Sequence, residues 1–399
     1  MNSIKKERLP QLDIFRALAI LGVLHVHATS FAAGEQALQS PYYVWINGVN
    51  IFFRFGTPCF IFLSSFVLFY NYYGRPVTRG LMLNFYRRRL TYILLPYLLA
   101  SIGYHLMVLY INGQLLDDPL TNLSSFMYAL ITGSAYTHLY FVFISIQFYL
   151  VFPLILQLMQ KSKTMVTWAI PVGLIIQWAF VFLNKYQLQL VDKASYAPTY
   201  MAYYMMGAYL AIHFDKIKPW LERSFKEWSN KQTGETFVLW GSWLAAAFIQ
   251  IHLWYQGRHF GHWVNSLWYE LLWNAHSMLS ALVLLHATFL IYRTASRGVN
   301  AFMTRLGEIS FGVYLLHPLI LVLYRRFRYN IPLDSLAYVL FVHGGLIVAL
   351  GVSWVVVQIS FRRIRWSWIA FGSVPRSLAP QPKQEPEAVL TLDNSHGKA

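Results

Sequence analysis

The first apolar segment, LDIFRALAILGVLHVHATS, carries a cation and an acid–base group on one helical face. Arg16 and His27 are eleven residues apart. At about 100° per residue they come within roughly 20° of each other after three turns, about 16 Å apart along the axis. His25 faces the other side, and Asp13 precedes Arg16 by three residues and can pair with it. This spacing predicts an anion site near one membrane surface and a general base near the other; the alternative is a paired snorkelling arginine and an interfacial histidine.

Composition indicates that the chain lies in a membrane. Of its 399 residues, 57% are hydrophobic and 12% are charged, about half the charged fraction of an average soluble domain. The net charge of +16 comes from basic residues in short runs between apolar segments. That pattern is typical of membrane topology and argues against a nucleic-acid partner. The single cysteine, Cys59, excludes an intrachain disulfide and a cysteine-based metal site.

Segments of roughly 20 mostly apolar residues, long enough to cross the hydrocarbon of a bilayer, recur along the chain. They predict an all-α fold, a polytopic membrane bundle of about ten transmembrane helices: 12–33, 47–70, 87–111, 138–159, 164–183, 198–214, 235–255, 268–292, 304–324 and 335–361. A shorter stretch, 122–132, predicts an interfacial or re-entrant piece. We expect a membrane domain over 1–372 and a disordered cytoplasmic tail over 373–399, which is rich in Pro, Gln, Glu and Lys.

Lysine and arginine residues are concentrated on alternate connecting segments, which predicts the orientation of the helices. With the N-terminus in the cytoplasm, 24 of the 32 basic residues fall on cytoplasmic segments and 6 on outer loops. This distribution favours an even number of helices with both termini cytoplasmic. Arg325, Arg326 and Arg328 are the exception, because the same orientation places them outside.

Five sequence blocks together resemble a known family. The first helix contains Leu-Asp-x-x-Arg followed by a histidine (Leu12, Asp13, Arg16 and His27), and the other blocks are NIFFRFGTPCFIFLSS (50–65), FYRRRLTYILLPYLL (85–99), THLYFVFISIQFYLVFPLIL (137–156) and LGEISFGVYLLHPLIL (306–321). In this order they resemble acyltransferase family 3, the integral membrane O-acyltransferases, from about residue 9 to 360. The branch with an intercellular-adhesion polysaccharide modification or export protein is the most similar.

The resemblance implies a multi-pass O-acyltransferase of the bacterial plasma membrane. Such a protein moves an acetyl or succinyl group from a cytoplasmic acyl-CoA-type donor to a hydroxyl of a cell-surface polysaccharide. Acyl-CoA is then the co-substrate, with no tightly bound cofactor; the partners are the extracellular glycan, the lipid bilayer and, as an open option, glycan-synthesis membrane proteins. His27 would act as general base or accept the acyl group first. Arg16 with Arg87, Arg88 and Arg89 would hold the donor phosphates, although the consecutive arginines fit a topology anchor equally well.

Other polar residues are candidates for binding the acceptor or for supporting His27. Asp13, which lies beside Arg16, is counted with Arg16 and His27 as a catalytic candidate. Many family members have an Asp where this chain has Asn50, and a Glu at about the position of Ser145. In this chain, Asn50 can hydrogen-bond His27 instead. The full set is Arg54, Asn50, His138, Tyr140, Ser310, Tyr314 and His317, with Glu270 as a weaker candidate. Interfacial aromatic belts and polar packing between helices remain open as explanations for these residues.

Tryptophans and histidines in the second half of the chain have simpler interpretations. Interface aromatics, or alternatively sugar-stacking rings, are expected for Trp263, Trp268 and Trp273. No helical i, i+4 pair with a nearby carboxylate occurs among His252, His259 and His262. We therefore expect no metal site.

Two other classes of function compete with acyl transfer. The main alternative is an exporter of polysaccharide or lipid-linked glycan without catalytic activity, and the third is a small-molecule transporter. Transporters often contain matching halves with broken helices, and the sequence contains no such halves. A translocator needs no histidine in register with an arginine three turns away, so the pair of Arg16 and His27 favours chemistry.

Overall fold

The computed structural model describes residues 7–36, 38–223 and 229–378. These residues form a bundle of α-helices joined by loops and short 3-10 turns, with a π-helical turn, Asn184–Leu188, at the end of one helix, and the described part of the chain contains no strand. The helices are α1 (Gln11–Glu35), α2 (Tyr43–Phe52), α3 (Gly56–Tyr72), α4 (Arg79–Ile111), α5 (Pro119–Thr132), α6 (Tyr140–Lys161), α7 (Lys163–Thr167), α8 (Ala169–Leu183), α9 (Met201–Ile212), α10 (Phe214–Glu222), α11 (Asn230–Phe260), α12 (Ser266–Thr294), α13 (Arg297–Arg325), α14 (Leu336–Arg363) and α15 (Trp368–Phe371). The predicted all-α polytopic membrane fold is confirmed.

Nine helical segments of the described residues are long and apolar enough to cross a membrane. They coincide with nine of the ten predicted spans, and α2 and α3 join through the 3-10 turn Phe53–Phe55 into one such segment. The sixth predicted span, 198–214, differs from the others in form. Its first residues form the 3-10 turn Ala197–Tyr200, which leaves 12 helical residues in α9, fewer than a regular membrane-spanning helix has. The chain still passes from one end of the bundle to the other here, because Tyr200 lies in one cavity with His27 and Lys218 bonds Glu7 ahead of α1.

Small residues let the central helices approach closely. A Cβ atom at Gly307 of α13 would lie 1.8 Å from the backbone oxygen of Asp13, so only glycine allows α13 to pack against α1 here. A Cβ atom at Gly207 of α9 would lie 2.3 Å from the backbone oxygen of Phe62 in α3. These contacts put α1, α3 and α13 at the centre of the bundle and bury the short α9 against α3.

Large apolar side chains cover the outside of the bundle. Phe248 of α11 and Leu340 and Ile347 of α14 are each more than 60% exposed. Large exposed apolar surfaces are rare on water-soluble monomers. This periphery fits lipid as its solvent.

The two central helices run in the same direction, which gives the bundle two distinct ends. Gly307 of α13 lies beside Asp13, and His317 of α13 lies beside His27. We call them the Arg16 end and the His27 end. Which end faces the cytoplasm stays a prediction. The predicted tail over 373–399 lies mostly outside the described residues, and its first part reaches the Arg16 end, where the Ser377 backbone N–H donates to Glu308 at 3.1 Å.

Candidate active site

A cavity of about 380 Å³ lies beside His27 at the His27 end of the bundle. Helices α1, α3, α6, α11, α12 and α13 contribute to its walls, with the loop that precedes α9. Its polar and aromatic lining includes His27, Arg54, Tyr140, Lys193, Trp254, Glu270, Trp273 and Tyr314. Five sequence candidates, on five different elements, therefore share one cavity: His27, Arg54, Tyr140, Glu270 and Tyr314.

Three histidine rings meet at the inner side of this cavity. The His27 ring centroid lies 5.1 Å from that of His317 and 6.3 Å from that of His138. The His138 and His317 centroids are 5.9 Å apart. Both of these rings are fully buried, whereas His27 lines the cavity. The structure thus brings together three separately predicted residues into a cluster whose cavity-facing member is the candidate base.

The hydrogen bonds of the buried rings leave nitrogen atoms available. His317 Nδ1 lies 3.1 Å from the Val313 carbonyl oxygen. Because a carbonyl can only accept, Nδ1 carries the hydrogen and Nε2 is an acceptor. His317 Nε2 and both nitrogens of His138 have no partner within the described residues. Buried polar atoms without partners are uncommon and call for an explanation; here they can accept or pass a proton beside His27.

Hydrogen bonds from α13 hold the backbone around this cluster. The Tyr314 hydroxyl donates to the His138 carbonyl oxygen, and Arg325 donates to the His27 carbonyl oxygen at 2.7 Å. Ser310, which was predicted together with Tyr314, instead donates to the Gly307 carbonyl of its own helix at 2.8 Å. Tyr314 therefore supports the cluster, and Ser310 satisfies the helix backbone.

Asn50 does not contact the His27 ring, so that interpretation of the sequence was wrong. Its side-chain nitrogen lies 3.2 Å from Thr29 Oγ1 and 3.1 Å from Ser30 Oγ. Its Oδ1 accepts from Arg54 at 3.0 Å. The side-chain nitrogen also lies 3.4 Å from the Val26 carbonyl oxygen, so Asn50 bonds groups of α1 on both sides of His27 and not the His27 ring. Its role is to tie α2 to α1 and to orient Arg54.

Arg54, Trp254 and Trp273 form one wall of the cavity, and Arg258 packs on the same Trp254 ring. The guanidinium carbons of Arg54 and Arg258 lie 4.6 and 4.8 Å from the centroid of the Trp254 ring. The Trp273 indole N–H donates to the Arg54 carbonyl at 3.2 Å. Cation–π contact to one ring holds both guanidinium groups in place. Such a wall offers flat apolar faces for a sugar ring and donors for its hydroxyl groups.

The carboxylate that lines the cavity belongs to an ion pair. Lys193 Nζ lies 2.6 Å from Glu270 Oε2, and the other carboxylate oxygen of Glu270 is buried without a partner in the described part of the chain. The Thr199 hydroxyl donates to the Lys193 carbonyl at 2.7 Å and fixes the loop. Glu270, a weak candidate from sequence, thus belongs to the cavity. Sequence reasoning missed Lys193 because it lies in a loop outside any motif.

The remaining tryptophans and histidines have other surroundings. Trp263 packs on Gly257, where a Cβ atom would lie 2.6 Å from its ring, and Trp268 is exposed. His259 stacks on Tyr255 with ring centroids 4.9 Å apart. Among the residues that the structure describes, no group of three His, Cys, Asp or Glu side chains could hold a metal ion.

The Arg16 end contains a second group of charges. Asp13 accepts hydrogen bonds from Arg16 and, at 3.3 Å, from Arg8. Arg89 and Arg376 lie close enough to repel the charge of Arg16. Glu308 lies 3.5 Å from Arg8, so this end gathers basic side chains around two acidic residues, Asp13 and Glu308.

The three arginines predicted to bind the donor differ in their surroundings. Arg87 and Arg88 are exposed. Arg89 is half-buried and lies 5.8 Å from the Tyr149 ring centroid. Arg89 is thus held near Arg16, and Arg376 is a basic residue that sequence reasoning did not include.

Comparisons with known proteins agree with the sequence motifs. The probable poly-beta-1,6-N-acetyl-D-glucosamine export proteins of Staphylococcus aureus strains MSSA476 and MW2 are each 25% identical over 337 residues, which is 80% of this chain and 83% of theirs. The corresponding protein of strain MRSA252 is 24% identical over the same length. No solved structure matches the chain. A family model described as an acyltransferase domain matches residues 9–358, and the chain therefore belongs to acyltransferase family 3.

Proposed function

We propose that this protein is a membrane O-acyltransferase that transfers an acyl group from a cytoplasmic acyl-CoA-type donor to a hydroxyl of a cell-surface polysaccharide. The proposal rests above all on His27, which lines a polar, aromatic cavity and contacts two buried histidines. The same helix carries Arg16 within a basic cluster at its other end. We infer that the protein lies in the bacterial plasma membrane with both termini in the cytoplasm.

The basic cluster is the proposed site for the donor. Arg16, Arg89 and Arg376 present guanidinium groups suited to phosphate oxygens, which they bind through charge-assisted hydrogen bonds. Asp13 orients Arg16 by accepting from it. The acyl group of a donor held there would extend along α1 toward His27.

His27 is the proposed general base. It takes the proton from the sugar hydroxyl, and the oxygen attacks the thioester carbonyl carbon. The tetrahedral intermediate then collapses, the C–S bond breaks, and the thiolate leaving group takes the proton back from the imidazolium. The products are a sugar ester and free thiol, with no net change in protons on the protein. Attack by His27 itself, through an acyl-imidazole, balances equally and stays open.

The cavity lining suits a sugar acceptor. Trp254 and Trp273 provide aromatic faces, and Lys193, Glu270 and Arg54 provide donors and acceptors for hydroxyl or amide groups. The relatives are named for poly-beta-1,6-N-acetyl-D-glucosamine, and we propose a neutral or amino-sugar polymer of this kind as the acceptor class.

The names of the relatives favour a second candidate function, export of the polysaccharide without chemistry. The test measures ester content and amount of surface polysaccharide by proton NMR in cells with the wild-type protein, without it, or with His27→Ala. His25→Ala is the matched control, because the His25 ring stacks on Phe53 and bonds the Leu21 carbonyl of its own helix.

We expect the ester signals to vanish in the deletion strain and with His27→Ala, while the amount of glycan stays the same. With His25→Ala the ester signals should be retained. An unchanged ester pattern with glycan trapped inside the cell would support the exporter and rule out the catalytic proposal.

A further inference from the structure

A second cavity, of about 260 Å³, lies between α1, α13 and α14 at the His27 end. Its α1 residues, Ala28, Phe31, Ala32 and Glu35, share a helical face that points away from the cavity beside His27. Three arginines at the C-terminal end of α13 complete one side: Arg325, Arg326 and Arg328. We call this space the arginine cavity.

The arginine cavity carries an excess of positive charge. Glu35 is the one acidic side chain among the described residues that line it, and it pairs with Arg328. Arg325 contacts neutral groups: it donates to the His27 carbonyl at 2.7 Å and lies 5.0 Å from the Phe31 ring centroid. Arg326 is exposed. Three arginines against one carboxylate give the lining a net charge of +2, which favours an anionic ligand.

The walls of the arginine cavity combine this charge with apolar surface. Tyr324 stacks on Phe341 with centroids 4.5 Å apart, and Leu321 and Val342 add aliphatic side chains. Arginines at the rim with aliphatic and aromatic walls suit a ligand that has a charged head and an apolar body.

Two features place the arginine cavity at the level of lipid headgroups. Phe327 and Tyr329, next to the arginines in the chain, are 66% and 75% exposed, and exposed aromatic rings concentrate at membrane–water interfaces. The three arginines are also the exception in the distribution of basic residues along the sequence, so topology does not account for them. A ligand does account for them.

We propose that the arginine cavity binds a phosphate-bearing anion, and that its occupant is the phosphodiester headgroup of an anionic membrane lipid. Guanidinium groups match phosphate oxygens in geometry and charge, and the apolar walls match the first part of an acyl chain. The site is separate from the acyl-transfer cavity, and the proposal does not depend on catalysis.

The test uses the purified full-length protein in a phosphate-free maltoside detergent. Native mass spectrometry measures the Kd for phosphatidylglycerol and the Kd for diacylglycerol with the same chains. It also measures whether inorganic phosphate competes with phosphatidylglycerol. Arg326→Gln removes one unpaired charge without touching the His27 carbonyl. Glu35→Gln removes the single negative charge, so it changes the net charge in the opposite direction. Arg362→Gln, at an exposed residue at the other end of α14, is the matched control.

We expect Arg326→Gln to raise the Kd for phosphatidylglycerol about tenfold and Glu35→Gln to lower it by roughly threefold, because charge-assisted contacts dominate binding to phosphate. Arg362→Gln should leave the Kd unchanged, and diacylglycerol should not bind. Competition by inorganic phosphate would mean that the site accepts phosphate from either source, and its absence would mean that the lipid form is required; both support the phosphate site.

Equal binding of diacylglycerol would overturn the proposal. Arg326→Gln and Glu35→Gln values indistinguishable from that of Arg362→Gln would overturn it as well. Thermal unfolding of each variant without lipid shows whether the fold is intact before the titrations are compared.

Discussion

Gly307→Ala tests whether the close packing of α1 on α13 sets the geometry of the site. The two helices share both functional ends of the bundle, because Asp13 lies beside Gly307 and His27 lies beside His317. The added Cβ atom would lie 1.8 Å from the Asp13 backbone oxygen, whereas ordinary contact begins at 3.4 Å. The obstacle is backbone and cannot rotate away, so the helices must separate by about 1.5 Å, an overpacking that typically costs roughly 1–3 kcal/mol.

A displacement of this size should lower the rate of the reaction. A misplacement of about 1 Å at a reacting group can lower activity on the order of a hundredfold. We therefore expect Gly307→Ala to reduce acyl transfer about a hundredfold and to lower stability by about 3 kcal/mol, the upper end of that range, although residue 307 does not line the cavity. Both effects come from one cause, the separation of α1 from α13.

The assay compares ester content per molecule of folded protein, by proton NMR of the polysaccharide, with thermal unfolding of the purified protein. Gly351→Ala in α14 is the control, since no atom lies within 4 Å of its added Cβ. Its activity should equal that of the wild type, and its stability should rise by about 0.5 kcal/mol. Wild-type ester content and stability in Gly307→Ala would refute the argument that this contact sets the site geometry.

Three further substitutions test separate contacts. Glu270→Gln leaves Lys193 without its counter-charge, and we expect about a tenfold rise in KM for an acceptor oligosaccharide with the donor KM unchanged; a change in the donor KM alone would exclude an acceptor role. Arg89→Gln should raise the donor KM about tenfold, and exposed Arg88→Gln by less than about twofold; equal effects would point to general surface charge. Tyr314→Phe removes one hydrogen bond to the backbone and should lower the free energy of unfolding by about 1 kcal/mol, measured by thermal unfolding. A loss of more than about tenfold in turnover would contradict a supporting role.

Most of the fold could be predicted from sequence because membrane spans are defined by length and hydropathy. The exception is the form of the sixth segment, where apolar composition suggested one long helix and the structure has a 3-10 turn followed by the short helix α9. Pro198 lies in the 3-10 turn Ala197–Tyr200 that occupies the start of the segment. Burial of α9 against α3 explains its apolar residues, and a sequence cannot distinguish protein from lipid as the cause of that composition.

The site was predictable where polar residues lie inside spans. His27 and Arg54 were found in this way, because an ionisable group in a membrane helix is costly unless it has a function or a partner. Tyr314 was found through the block of sequence that resembles the family. The meeting of His27 with His138 and His317 was not predictable, since it depends on how three elements pack.

Other parts of the site had no signal in the sequence. Lys193 and Arg376 lie in connecting segments, where a basic residue is ordinary. Asn50 was assigned to the wrong partner because the register between α1 and α2 is a property of the packed structure. Single-sequence patterns describe one helix at a time, and contacts between helices lie beyond them.

In the proposed reaction, the unbroken helix α1 between Arg16 and His27 fixes the distance that the donor must span. Its eleven residues fix a distance of about 16 Å along the axis, and neither end can shorten it without unwinding α1. A donor held at one end must carry its acyl group across that length to react at the other. Small activated acids such as acetyl phosphate, whose phosphate and carbonyl are adjacent, are too short to span this distance. The helix would therefore select donors by their length, whichever acyl group they carry.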